Sequence, residues 1–122
     1  MATIRDLEKY LDYEFSDGSY TGNDYKTFQT KYINYLKSIC SKNYMQLVNI
    51  GRNHYCFSTF IKNNDGKYIY LSISDVRYHR NEWYTRILIR SADSERDYRG
   101  GYNLFTNLPC LEQSIKDLFL RS

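Results

Sequence analysis

Two histidines, His54 and His79, and three cysteines, Cys40, Cys56 and Cys110, are the side chains on which thiolate attack or proton transfer near neutral pH would rest. His54 and Cys56 lie two apart in an extended-looking run. Alternate strand residues share a face without meeting, and no third group is placed to orient the imidazole. The spacing of Cys40, His54, Cys56 and His79 is too irregular for a zinc signature. No nucleophile elbow, glycine-rich phosphate loop or zincin helix occurs. Carboxylates are plentiful at Asp75, Glu82, Asp93, Glu95 and Asp97, and clustered carboxylates can hold catalytic metal ions. Here they interleave with arginines and read as solvated ion pairs, each worth less than about 1 kcal/mol. The expectation is no catalytic residue, no metal site, no cofactor and no enzymatic activity.

Recognition chemistry is better supplied. The chain holds 14 Tyr, 6 Phe and 1 Trp, so much of its apolar surface belongs to rings, most of them with a polar tip. Tyr suits both half-buried strands and recognition surfaces. Arg77, Arg80, Arg86, Arg90, Arg96 and Arg99 crowd one stretch, with the carboxylates among them. The formal charge of +3 is too mild to mark a nucleic-acid binder by itself. An odd number of cysteines in apolar surroundings argues for buried thiols in a reducing compartment. The amphipathic start, with Thr3, Arg5 and Asp6, is unlike a targeting segment, and no apolar run approaches the roughly 20 residues that span a bilayer. A cytoplasmic protein without a membrane partner is expected.

These groups must be positioned by elements that the pattern of the chain locates. Thr3 can cap a helix to about Tyr13 along the Ile4, Leu7, Leu11 stripe. A polar segment follows, and Asn23 or Asp24 opens a second helix to about Ser41, with Phe28, Tyr32, Leu36 and Ile39 on one face. The period then drops to two. Strands are predicted over Met45–Ile50, His54–Lys62, Lys67–Val76 and Trp83–Ala92, with turns at 51–53 and 63–66, the second carrying the Asp65-Gly66 hairpin signal. Residues 93–101 read as a mobile loop, Tyr102–Phe105 as a short fifth strand, and Pro109 as the start of a final helix along Leu111, Ile115, Leu118 and Phe119. The prediction is one α+β domain over residues 1–122: an antiparallel meander of four to five strands, with two N-terminal helices and one C-terminal helix packed on one face.

Alternation then divides the sheet. Ile69, Leu71, Ile73, Trp83, Ile87 and Ile89 point inward, leaving Tyr68, Tyr70, Ser72, Ser74, Tyr84, Arg86, Leu88 and Arg90 outward. The expected binding surface is Tyr68, Tyr70, Tyr84, Arg86 and Arg90 on the sheet, with Asp93, Glu95, Arg96, Asp97 and Arg99 of the loop beside it. As a protein interface, it offers Tyr and Arg anchors and charges of both signs, to a partner or to a second copy in a homodimer. As a nucleic-acid interface, it offers stacking platforms with phosphate contacts, opposed by the interleaved acids.

The segments Tyr20-Thr21-Gly22-Asn23-Asp24-Tyr25 and Ser72-Ile73-Ser74-Asp75-Val76-Arg77-Tyr78, with the size and texture of the chain, resemble small accessory proteins of phages and conjugative elements of Gram-positive bacteria. That group is similar in kind to anti-CRISPR and other anti-defence proteins. The resemblance implies a compact, non-catalytic inhibitor that binds a host protein or ribonucleoprotein complex such as a defence nuclease. It transfers no site residue. The alternative expectation is a nucleic-acid-binding accessory protein using the same Tyr/Arg face.

Overall fold

The first helix is capped from its own start. The Thr3 backbone N–H donates to the Asp6 carboxylate at 2.9 Å, which holds that carboxyl below its usual range and opens α1 (Ile4–Glu8). The computed structural model describes residues 3–11, 13, 23–52, 57–73, 81–99 and 101–121. The helix ends earlier than the apolar stripe suggests. Tyr10 N–H bonds back to the Leu7 carbonyl and Leu11 N–H to that of Glu8, three residues away rather than four. Tyr10 is thereby buried edge-on against Phe28, with ring centres 5.1 Å apart.

Phe28 lies on α2 (Asn23–Lys42), where Phe28, Tyr32, Leu36 and Ile39 are all buried, as their spacing predicts. The chain then forms β1 (Gln46–Arg52), β2 (Phe57–Lys62) and β3 (Tyr68–Ile73). The β2–β3 turn is held by Asn63, whose side-chain oxygen accepts from the N–H groups of Asp65 and Lys67, and Gly66 takes φ +77°. A helical turn, α3 (Glu82–Thr85), precedes β4 (Ile87–Ala92) and β5 (Leu104–Thr106). A 3-10 turn at Leu108–Cys110, with Pro109 in it, leads into α4 (Leu111–Arg121), whose Leu111, Ile115, Leu118 and Phe119 are buried. The five strands pair antiparallel in the order β1-β2-β3-β4-β5, the expected meander in an α+β fold. Among the described residues no helix is long and apolar enough to cross a membrane.

Several expectations need correction. Trp83 and Tyr84 belong to α3, not to the fourth strand. Asn81 takes φ +65° and its carbonyl accepts from the N–H groups of both Tyr84 and Thr85, which closes the helical turn. The cause is tertiary: Trp83 packs against Phe28 at 5.1 Å, and the buried Tyr32 hydroxyl donates to the Trp83 carbonyl at 2.8 Å. Gly51 and Arg52 continue β1 instead of turning, past an irregular register between Val48 and Gly51. Cys40 is buried, which pushes its thiol up to about 12, but Cys110 is exposed. The early part of the second predicted strand (54–56), the end of the third (74–76) and His79 lie outside the described residues.

Candidate binding surface

The register assigns the two sheet faces residue by residue. Inward rows run Leu47, Ile61, Ile69, Ser91 and Thr59, Leu71, Ile89, Leu104, and they meet the helices. The outer face carries three rows. One is Gln46, Lys62, Tyr68, Ala92; the middle one is Val48, Phe60, Tyr70, Arg90; the last is Gly51, Ser58, Ser72, Leu88, Phe105. Tyr68, Tyr70 and Arg90 therefore stand on the face where alternation placed them.

That face is not open along its middle row. Phe60 is 0% exposed although it points away from the helix-side core. What covers it is the segment after β4. The Tyr98 ring packs edge-on against Phe60 at 5.2 Å and Tyr70 at 5.8 Å, and its hydroxyl accepts from the Asn49 side-chain amide at 3.1 Å. The same amide donates to the Glu95 carbonyl. Residues 93–99 thus form a strap that leaves β4 and reaches back across the sheet to β1. Asn49 meets it from the irregular stretch of β1, with φ +50°.

The strap has its own framework, which the expectation of a mobile loop missed. The Asp97 carboxylate accepts the N–H of Asp93 at 2.9 Å and that of Arg99 at 3.1 Å, closing the segment on itself. The Ser94 hydroxyl accepts from Arg96 N–H at 3.2 Å. Gly101 takes φ +73°, and a Cβ there would stand 2.6 Å from the Ser91 carbonyl oxygen, so the chain returns to β5 by a route that only glycine fits.

Arg90 fastens strap to sheet. Its guanidinium lies over the Tyr70 ring at 4.5 Å, donating to the Tyr98 carbonyl and, at 3.3 Å, to the Asn103 side-chain oxygen. No carboxylate among the described residues pairs with it, and its Nε is buried without a hydrogen bond. Arg86 makes the parallel arrangement on the same face, with its guanidinium 4.0 Å over the Phe105 ring, but both residues are exposed.

The expected site residues therefore separate. Tyr70, Arg90 and Asp97 hold the strap down. Asp93, Glu95, Arg96 and Arg99 are exposed along its crest, near Tyr98 at 53% and Tyr102 at 90% exposure. Tyr68 lies in the neighbouring row, 5.8 Å beneath the Lys62 ammonium. Tyr84 is removed from the group: on α3, its hydroxyl donates to the Glu8 carboxylate at 2.9 Å, which raises its ionisation above the usual tyrosine range. Sequence reasoning missed Phe60, Tyr98, Asn49, Asn103 and Phe105. Phe60 and Phe105 become legible only once the strand register is known. Among the described residues no group of three His, Cys, Asp or Glu side chains is placed to hold a metal ion. Compared with known proteins, the chain matches no family model, no curated protein sequence and no solved structure.

Proposed function

We propose that this chain is a non-catalytic binding protein that docks on a macromolecular partner through the crest of its strap. The observation that carries the reading is a surface segment fixed in advance. The Asp97 carboxylate closes the strap and Tyr98 anchors it, while Asp93, Glu95, Arg96, Arg99 and Tyr102 remain exposed. A loop already held in one conformation loses little entropy on binding, and loops on rigid scaffolds are where recognition concentrates.

The mixed charge favours a protein partner. Two exposed carboxylates stand among the crest arginines, which suits charge-complementary protein contact and opposes a phosphate backbone. Joined to the resemblance to mobile-element accessory proteins, the reading becomes an inhibitor that occupies a host defence nuclease complex. The exposed arginines Arg86, Arg96 and Arg99, none paired with a carboxylate among the described residues, support the second reading, nucleic-acid binding.

The test is affinity capture from a Gram-positive lysate with and without nuclease treatment, followed by titration of the captured complex with variants. A nuclease-resistant partner, weakened about tenfold or more by Arg96→Ala or Arg99→Ala and unaffected by Tyr68→Ala, supports the protein reading. Recovery only of nucleic acid, with binding that falls steeply with salt, replaces it with the second reading. Crest substitutions that leave the partner bound as before overturn the surface assignment.

A further inference from the structure

We infer that Arg86, its guanidinium over the Phe105 ring, is a receptor for a carboxylate of the protein partner; the inference rests on the protein-binding reading above and gives it a second contact point. Phe105 pairs with Leu88 on the outer face of the sheet, and the guanidinium of Arg86, which caps α3 just before β4, lies over its ring. The strap contacts the middle row of that face. The row that ends in Leu88 and Phe105 lies beside it.

The molecule holds an occupied version of the same device four residues further along the chain, at Arg90 of β4. Arg90 stacks on an aromatic ring and uses its donors to hold oxygens, the Tyr98 carbonyl and the Asn103 side-chain oxygen. Arg86 stacks on a ring in the same way, at 4.0 Å, yet its guanidinium donates to no described residue. Stacking fixes the guanidinium plane, so the N–H edge is held ready for a planar acceptor with two oxygens, the geometry a carboxylate presents. Exposed Phe105, at 50%, supplies apolar area beside the charge, the combination found at interface anchors. A phosphate would also match the fork. The mixed charge of the crest, with exposed Asp93 and Glu95 among Arg96 and Arg99, matches a protein partner better than a polyanion and so favours the carboxylate.

The experiment follows the arginine Nε–Hε signals of the full chain by NMR during titration with a short, otherwise uncharged peptide carrying a single glutamate and, separately, a short oligothymidine at equal ionic strength. Arg86→Lys identifies the Arg86 signal; exposed Arg5 on α1 and Arg121 on α4 serve as internal references for nonspecific attraction. The Arg86 signal should move at a peptide concentration about threefold or more below that needed for Arg5 and Arg121. Phe105→Leu, which keeps an apolar strand residue but removes the ring, should erase that lead. If Arg86 responds no earlier than the two references, the inference is overturned. A lead seen only with oligothymidine overturns the carboxylate assignment in favour of phosphate. Failure here leaves the crest reading standing, because that reading is decided by Arg96 and Arg99 in partner capture.

Discussion

Replacing Tyr98 with Ala tests whether the strap is held by a second, small core on the outer sheet face. The change removes two edge-on ring contacts, to Phe60 and Tyr70, and the hydrogen bond from Asn49. Aromatic pairs contribute about 0.5–1.5 kcal/mol each, and one hydrogen bond about 1 kcal/mol net. Because Tyr98 is 53% exposed and the contacts are not independent, we expect the sum to fall to about 2 kcal/mol. At about 1.4 kcal/mol per tenfold, strap opening becomes about thirtyfold more frequent. The backbone N–H groups of Asp93 and Arg99, both bonded to the Asp97 carboxylate, report it directly through hydrogen exchange. They should exchange about ten- to fiftyfold faster in the variant, while Ile69 and Leu71 in the central strand change far less. Tyr98→Phe keeps the rings and loses only the hydroxyl, so its effect should be several times smaller. Unchanged exchange at Asp93 and Arg99 would refute the anchoring role, and equal acceleration at Ile69 and Leu71 would refute its locality.

Four further outcomes follow from local geometry. Gly101→Ala should lower stability by about 2 kcal/mol or more, since it adds a left-handed penalty of about 1–2 kcal/mol to a clash with the Ser91 carbonyl. Gly66→Ala, with a similar φ but open space around the new methyl, should lose only about 1 kcal/mol; thermal unfolding of the pair checks both values. Asn107→Ala removes the side-chain oxygen that accepts from Cys110 N–H at 2.9 Å, and chemical denaturation should show a loss of about 1 kcal/mol. Alkylation of the native protein, read by peptide mass mapping, should label exposed Cys110 and spare buried Cys40, whose thiol stays protonated at neutral pH.

The parts of the fold legible in the sequence are those whose signal is local and repeated. Phe28, Tyr32, Leu36 and Ile39 announce α2 because helical spacing leaves no other way to bury them together. Ile69, Leu71 and Ile73 announce β3 by strict alternation, and all are buried. Trp83 misled for a physical reason: one helical turn and one strand both aim a large ring inward, and tertiary contacts, the Phe28 ring on Trp83 and the Tyr32 hydroxyl on its carbonyl, decide between them. The candidate site was half legible. Tyr68, Tyr70 and Arg90 followed from alternation, and Arg96 and Arg99 from polarity. The cover over Phe60 and Tyr70 did not, because Tyr98 meets Phe60 and Asn49 from far along the chain, and no local pattern marks that meeting.

The cover also changes which ligands the outer face can take without rearrangement. Tyr70 and Arg90 look like a stacking platform with a phosphate contact, but a base can reach the Tyr70 face only after Tyr98 lifts and Arg90 releases the strap carbonyl. If opening requires about 2 kcal/mol, only about one molecule in thirty is competent at any moment, and the apparent affinity falls by that factor. A partner that meets the crest faces no such barrier. The two routes therefore respond oppositely to Tyr98→Ala. Oligothymidine stacking on Tyr70 should tighten by about an order of magnitude in the variant, and a partner docked on the ordered crest should weaken. Titrating both ligands against both proteins checks this. Tighter binding of the captured protein partner to Tyr98→Ala would mean that the strap obstructs recognition, and the crest reading would have to be abandoned.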